Sequence, residues 1–280
     1  MLFAVVLAVA LVLSPGPLLA QGTAVASQPA LTSDQIEAFL LTARILRTRE
    51  AGKGVTNSQV ATLSDGQLTH DAHVQSVDVA MPIFQSRMRT EVNFKDAFRY
   101  NIAAYRISRL LGLANVPVSV QRRVGRSQAA VTWWVDDVLM DELERLKREK
   151  EKTLPAGWEP STMAGYIHIM RVFDELIANT DRNVGNQIWT SDGRMWLIDH
   201  TRAFRLQPTL TKPQILERCD RGLLQGLRGL TIASVTTAVD QTLTKDEISA
   251  VLARRDLIVK HFEDRIKAVS EPAILYTLMP

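Results

Sequence analysis

The chain has 280 residues, 46% hydrophobic and 22% charged, enough to bury a core in one domain or two lobes. Its formal charge of +3 is small and its basic residues are scattered, so nothing in the composition points to nucleic acid as a partner. The single cysteine, Cys219, excludes an internal disulfide, and the dispersed histidines show no zinc-ligand spacing.

Residues 2–13 form an unbroken apolar run, followed by Ser14-Pro15-Gly16-Pro17 and a small-residue Ala24-Val25-Ala26 triplet. The run is shorter than the roughly 20 residues a bilayer span needs. It has the shape of an export signal over 1–26 that lacks a basic start, or of an N-terminal anchor. The expectation is an exported chain, periplasmic, extracellular or membrane-tethered through residues 2–13.

Thr32-Ser33-Asp34-Gln35 opens a helix, with Ser33 or Asp34 as cap and Ile36, Phe39, Leu40 and Leu41 as its apolar side. A strand at 43–46 leads into 52–58, which contains Gly52, Lys53, Gly54, Thr56, Asn57 and Ser58. Two glycines let backbone approach a ligand, and the polar residues supply donors for phosphate oxygens, although the spacing is not that of a Walker A loop. On these residues alone an exposed hairpin loop reads almost as well. Strands at 59–63 and 67–79 flank Ser64-Asp65-Gly66, a hairpin turn, so the glycine loop opens a small antiparallel sheet.

Residues 94–113 carry Phe98, Ile102, Tyr105, Ile107 and Leu111 at helical spacing, with Gly112 near the end. Strands follow at 116–120 and 129–134, the second ending in Trp133-Trp134, a pair read as sheet core. Residues 141–152 are charged nearly all round and read as a solvated helix or linker. Pro155 and Pro160 punctuate a loop before a helix at 161–177.

That helix breaks at Asn179-Thr180 and gives way to Asp181-Arg182-Asn183-Val184-Gly185-Asn186. Short strands at 187–190 and 194–198 surround a Ser191-Asp192-Gly193 turn, and the second ends on Asp199. A hairpin brings its ends together, so Asp181, Asn186 and Asp199 are expected to meet. One aspartate to orient or deprotonate a hydroxyl, with an asparagine and a second aspartate to hold a divalent metal on phosphates, is the set phosphoryl transfer uses. As isolated residues, they are also ordinary turn formers. Beyond Arg205 the pattern is helical, at 212–219, 223–230, 232–241 and 245–268.

The phrases N-T-D-R-N-x-G-N and W-L-I-D-H-T-R-A-F resemble the catalytic centre of the atypical kinases: phosphatidylinositol 4-kinase-like enzymes, HipA-type kinases, secretory-pathway kinases of the Golgi casein kinase type, and exported bacterial proteins of that clan. N-I-A-A-Y-R-I-S-R-L-L-G-L with V-P after it is similar to a helix of the same clan. The resemblance implies an α+β, two-lobed protein-kinase-like fold, with a small antiparallel-sheet N-lobe at 27–140, a charged linker at 141–160 and a mostly helical C-lobe at 161–280. It implies ATP with Mg²⁺ or Mn²⁺, Asp181 as the catalytic aspartate, Asn186 and Asp199 as metal ligands, the 52–58 loop over the phosphates and 134–138 as the adenine-side hinge. Gln75, or Met81 on a slightly different alignment, then stands where the clan has a strand lysine, and Asn101 where it has the partner glutamate, in place of an ion pair that positions phosphates. Lys53, or else Lys95, is the candidate substitute cation. Three activities fit: phosphoryl transfer to a hydroxyl on protein, lipid or sugar; a pseudokinase that binds nucleotide or a partner without transfer; and AMP transfer to a hydroxyl.

Overall fold

The structure, a computed structural model, describes residues 31–52, 58–85 and 90–278. The proposed export segment and Lys53, Gly54, Thr56 and Asn57 lie outside the described residues. Contacts divide the chain into Met1–Leu31 and Thr32–Pro280, and the described helices and strands all belong to the second unit.

Helix α1 (Ser33–Thr42) is capped by Thr32, one residue before the expected caps, through a reciprocal pair of bonds with Gln35. Strands β1 (Arg44–Glu50), β2 (Gln59–Ser64) and β3 (Thr69–Gln75) run antiparallel. A second hairpin, β4 (Asp78–Gln85) with β5 (Thr90–Ala97), stands apart from that sheet. Helix α2 (Arg99–Leu110) follows it, then β6 (Ser119–Val124) and β7 (Ser127–Trp133), which complete the five-stranded order β1-β2-β3-β7-β6.

Two expectations change here. The single strand read at 67–79 is two strands, and 94–97 belongs to β5 rather than to the helix. Phe94 and Ala97, both buried, stand three residues apart as on a helix face, so apolar spacing extended the helix over the end of β5.

The sheet has two distinct faces. Ala61, Leu63, Ala72 and Val74 enter the main core with Phe39 and Leu40 of α1. On the other face, the register sets His73 opposite Val60 and Thr132, and Gln75 opposite Ala130. Trp133 packs edge-on against Phe39 and stacks on His70, whereas Trp134 is exposed, so only one of the pair serves the core.

The chain then crosses at 134–137 into a three-stranded sheet, β8 (Val138–Asp141), β9 (Gln187–Thr190) and β10 (Met195–Leu197), in the order β10-β9-β8. Between β8 and β9 lie α3 (Glu142–Glu151) and α4 (Pro160–Ile177). The charged stretch is less solvated than its composition suggests. Glu142 and Arg145 are buried, joined by two bonds of 2.7 and 2.9 Å, and Glu142 also accepts the Trp189 indole N–H at 2.8 Å. A buried ion pair is tolerable when its remaining polar atoms are satisfied in this way.

The rest is mostly helical: α5 (Arg221–Gly229), α6 (Ile232–Ala238), α7 (Lys245–Ala268) and α8 (Glu271–Ile274), with a two-residue parallel pair, β11 (Cys219–Asp220) and β12 (Leu275–Tyr276). The helix expected at 212–219 reduces to one 3₁₀ turn at Pro213–Ile215. Arg254 of α7 reaches the Leu176 carbonyl at the end of α4 at 2.8 Å and the Arg205 carbonyl at 2.9 Å. The site loops are thereby anchored to the longest helix. Among the described residues no helix is long and apolar enough to cross a membrane.

Candidate functional site

Helix α4 stops because Ala178 turns into the left-handed region, φ 47°. Asn179 then donates to Asp174 at 3.0 Å and accepts the Asp181 amide at 3.3 Å, which fixes the first bend of the loop. Asn183 caps the single 3₁₀ turn Val184–Asn186 by accepting the Gly185 amide at 2.9 Å. The β9–β10 turn is held by Asp192, which accepts from Thr190 at 2.6 Å and from the Arg194 amide at 3.2 Å. Gly193 supplies the positive φ, 78°, that the turn needs.

Hairpin closure brings the two ends of the motif together. Leu197 pairs with Gln187, and the Ile198 amide donates to the Asn186 carbonyl at 3.1 Å, so Asn186 and Asp199 flank the same rung. Arg182 secures this closure with bonds to the Asn186 and Ile198 carbonyls at 3.0 and 2.6 Å, while its other edge grips both oxygens of Asp174 at 2.9 Å.

Asp199 has φ 55°, a left-handed conformation that a residue with a Cβ occupies only when its surroundings impose it. Three contacts impose it. The Thr201 hydroxyl donates to Asp199 at 3.0 Å, the His200 amide donates to Asn101 Oδ1 at 2.7 Å, and the Ala97 amide donates to the Thr201 carbonyl at 2.9 Å. The loop after β10 is therefore tied to α2 and to β5. His200 itself is buried, and burial holds its imidazole far below the ordinary range, so it packs against Phe173 as a neutral ring.

The charged groups form a layered set. Arg202 Nη1 lies 3.1 Å from Asp181 Oδ2, and its Nη2 donates to Glu91 Oε1 at 2.5 Å. Arg205 takes the other Glu91 oxygen at 2.6 Å, and the Phe94 ring lies 4.9 Å from the Arg202 guanidinium. Asp96 feels both Asp199 and Asp181. Burial raises its carboxyl above the ordinary range, those two carboxylates push the same way, and Thr201 and Arg202 oppose them. Asp96 Oδ1 is buried without a hydrogen-bond partner. His73 lies within the field of Asp199, which partly offsets the burial that lowers its pKa.

The other residues expected at the site are more dispersed. Gly52 takes φ 68°, and the Ala51 amide closes on the Ser58 carbonyl at 3.0 Å, so 52–58 is the connection between β1 and β2. Gln75 and Asn101 are both buried, but their carboxamide oxygens serve different backbone groups. Gln75 accepts from the Ser76 and Val77 amides, and Asn101 from His200. Lys95 is not available as the substitute cation, because its ammonium is 2.6 Å from the buried Glu247 of α7. Glu91, Asp96 and Arg202 were not singled out from the sequence. Arg202 is the one with a signal, three residues past Asp199; Glu91 and Asp96 come to the site through the β4–β5 hairpin, which the apolar pattern did not reveal.

The donor set suits a magnesium-like ion. Such ions bind through one or two protein oxygens plus substrate phosphates instead of a full protein cage. Asn186 and Asp199 would offer those oxygens, and the orphaned Asp96 Oδ1 lies in the same field.

No family model and no curated protein matches the sequence. Solved structures do match in three dimensions. The structure of hydra Fam20 with sugar aligns at TM-score 0.63 and 15% identity, over 87% of this chain and 92% of that one. The Golgi casein kinase with Mn/ADP bound aligns at 0.61 and 15%, over 87% and 78%. The Helicobacter pylori proinflammatory kinase CtkA aligns at 0.50 and 13%, over 82% and 98%. At such identities the likeness shows the fold, which is α+β, two-lobed and of the atypical kinase-like type.

Proposed function

We propose that this chain is a kinase-like phosphotransferase that moves a phosphoryl group from ATP to a hydroxyl acceptor with Mg²⁺ or Mn²⁺. Support comes chiefly from the closed hairpin, in which the Ile198–Asn186 bond sets Asn186 beside Asp199 and Arg182 fastens the Asp181 loop to both. In the step, the acceptor oxygen forms a bond to the γ-phosphorus while the bridging P–O bond breaks. Its electron pair leaves with the β-phosphate, and the acceptor proton passes to Asp181. Asn186 and Asp199 would hold the metal, which neutralises phosphate charge when bound. Residues 52–58 would supply donors to the phosphates, Gln75 would face them from β3, and Asn101 keeps the Asp199 loop in place. In this reading 27–140 is the N-lobe, 141–160 the connection, 161–280 the C-lobe, and 1–26 directs export. The acceptor belongs to a protein, a lipid or a sugar.

A second reading has its own support. The β3 positions on the face opposite α1 are His73 and Gln75, neither of them a lysine, which suits a pseudokinase that binds nucleotide without transfer. Incubation of the full chain with γ-labelled and α-labelled ATP and Mn²⁺ decides. Transfer of the γ label alone supports the phosphotransferase, transfer of the α label points to AMP transfer, and a thermal shift with ADP and Mn²⁺ but no transfer points to the pseudokinase.

A further inference from the structure

A site that transfers a phosphoryl group needs a fixed positive group beside the migrating oxygens, because charge spreads over them in the transition state. The clan's strand lysine is missing here, and Lys95 is held by Glu247. Arg182 is engaged on both edges by Asp174 and two carbonyls. Arg205 lies on Glu91 and the Asn93 carbonyl.

Arg202 is arranged differently. One edge is anchored on β5, where Nη2 meets Glu91 and the Phe94 ring backs the guanidinium. Its Nη1 lies 3.1 Å from Asp181 Oδ2, and its Nε, on the edge that Nη2 turns to Glu91, is buried without a hydrogen-bond partner. The contact with Asp181 therefore sets a guanidinium, fixed from behind by Glu91, beside the proton-accepting carboxylate.

We infer that Arg202 is the catalytic cation of the transfer, passing from Asp181 to the oxygens of the migrating phosphoryl group. This deepens the phosphotransferase reading and rests on it. In the ground state Arg202 pairs with Asp181. As the acceptor proton arrives on Asp181, that carboxylate loses its charge and its hold on the guanidinium. The phosphoryl oxygens beside it then take the Nη1 donors, a charge-assisted contact of the kind arginine makes to phosphate. Glu91 keeps the guanidinium in place during the exchange, so the charge does not follow the product out.

The test compares the full chain with its Arg202→Met and Arg202→Lys variants. Thermal shifts are read with Mn²⁺ and ADP, and again after addition of tetrafluoroaluminate as a mimic of the migrating phosphoryl group. The wild-type chain is expected to give a shift with Mn²⁺ and ADP and a further shift with the mimic. Arg202→Met is expected to keep the first and lose the second, with kcat reduced roughly 10²–10³-fold and the nucleotide KM within about threefold of wild type. Arg202→Lys retains charge for the fold and loses the planar group that reaches Glu91 and Asp181 together. It is expected to keep the first shift in full, to show the second in part, and to fall between the other two in kcat. The assignment is overturned if Arg202→Met retains both the second shift and wild-type kcat, or, should that variant not fold, if Arg202→Lys does so. A wild-type chain that gives no shift with Mn²⁺ and ADP overturns the phosphotransferase reading and this one with it. The first shift in wild type, followed by an unaltered second shift and wild-type kcat in the variants, removes Arg202 alone.

Discussion

Arg182 donates to the Ile198 carbonyl across 2.6 Å, and this bond fastens the loop that carries Asp181 to the strand that delivers Asp199. The guanidinium is nearly fully buried, at 7% exposure, and Asp174, at 11%, neutralises it from the end of α4. Two loops with different chemical tasks thus share one support. Their geometry depends on a pair that touches no ligand.

Arg182→Met is expected to cost roughly 3–5 kcal/mol, because it strands the buried Asp174 carboxylate as well as removing two carbonyl bonds. Arg182→Lys recovers little of this, since an ammonium cannot serve both edges. Urea unfolding at pH 7 measures it, and a loss below about 1 kcal/mol would show that the clamp is not what holds the hairpin closed.

Asp199 is exposed, so its replacement by alanine should leave the unliganded fold within about 1 kcal/mol of wild type. The thermal shift produced by ADP with Mn²⁺ is expected to disappear. A shift of wild-type size in Asp199→Ala would remove this carboxylate from the metal site.

Asn101→Ala takes away the acceptor of the buried His200 amide. An unsatisfied buried donor costs about 1–3 kcal/mol, and the Asp199 loop loses its tie to α2. The expected signature is a lower unfolding temperature together with weaker Mn²⁺-dependent ADP binding, followed by calorimetry. Unchanged ADP affinity in a destabilised protein would limit Asn101 to holding up the fold.

Glu247 gives the expected pH dependence. Burial pushes its carboxyl up, but bonds from Lys95, the Thr244 amide and Tyr100 outweigh this and leave it below the ordinary 4.5. A group whose folded pKa is depressed contributes stability that is complete above its unfolded value and is lost as pH falls through the folded one. Stability should therefore hold above about 4.5 and decline below it, where the unfolded chain binds the proton first. Glu247→Gln should lower stability at pH 7 by roughly 3 kcal/mol and flatten the acid limb of the urea profile. An equally steep limb in that variant would assign the acid sensitivity to other carboxylates.

Much of the frame was legible in the chain because it depends on local chemistry. The Ser64-Asp65-Gly66 and Ser191-Asp192-Gly193 turns and the helical patterns at 161–177 and 245–268 fix their elements within a few residues. Where the reading failed, tertiary contacts had overruled period. Phe94 and Ala97 look helical by spacing but lie in β5, and 141–152 looks solvated although Glu142 and Arg145 find buried partners in each other and Trp189.

By itself, the sequence determined that Asp181, Asn186 and Asp199 bracket one hairpin, because a short loop and a tight turn leave the chain no other short path. It also raised, through the resemblance, the expectation that Gln75 takes the place of a strand lysine. Only the tertiary structure decided what stands around those residues. Glu91 and Asp96 arrive from a hairpin about a hundred positions earlier, and Lys95 is drawn off to Glu247, 152 positions later. Arg202 gains its place between Asp181 and Glu91 only when those segments pack. Charge partners separated this far in sequence are selected by burial, since a charge leaving water must find its counter-charge wherever the fold supplies one.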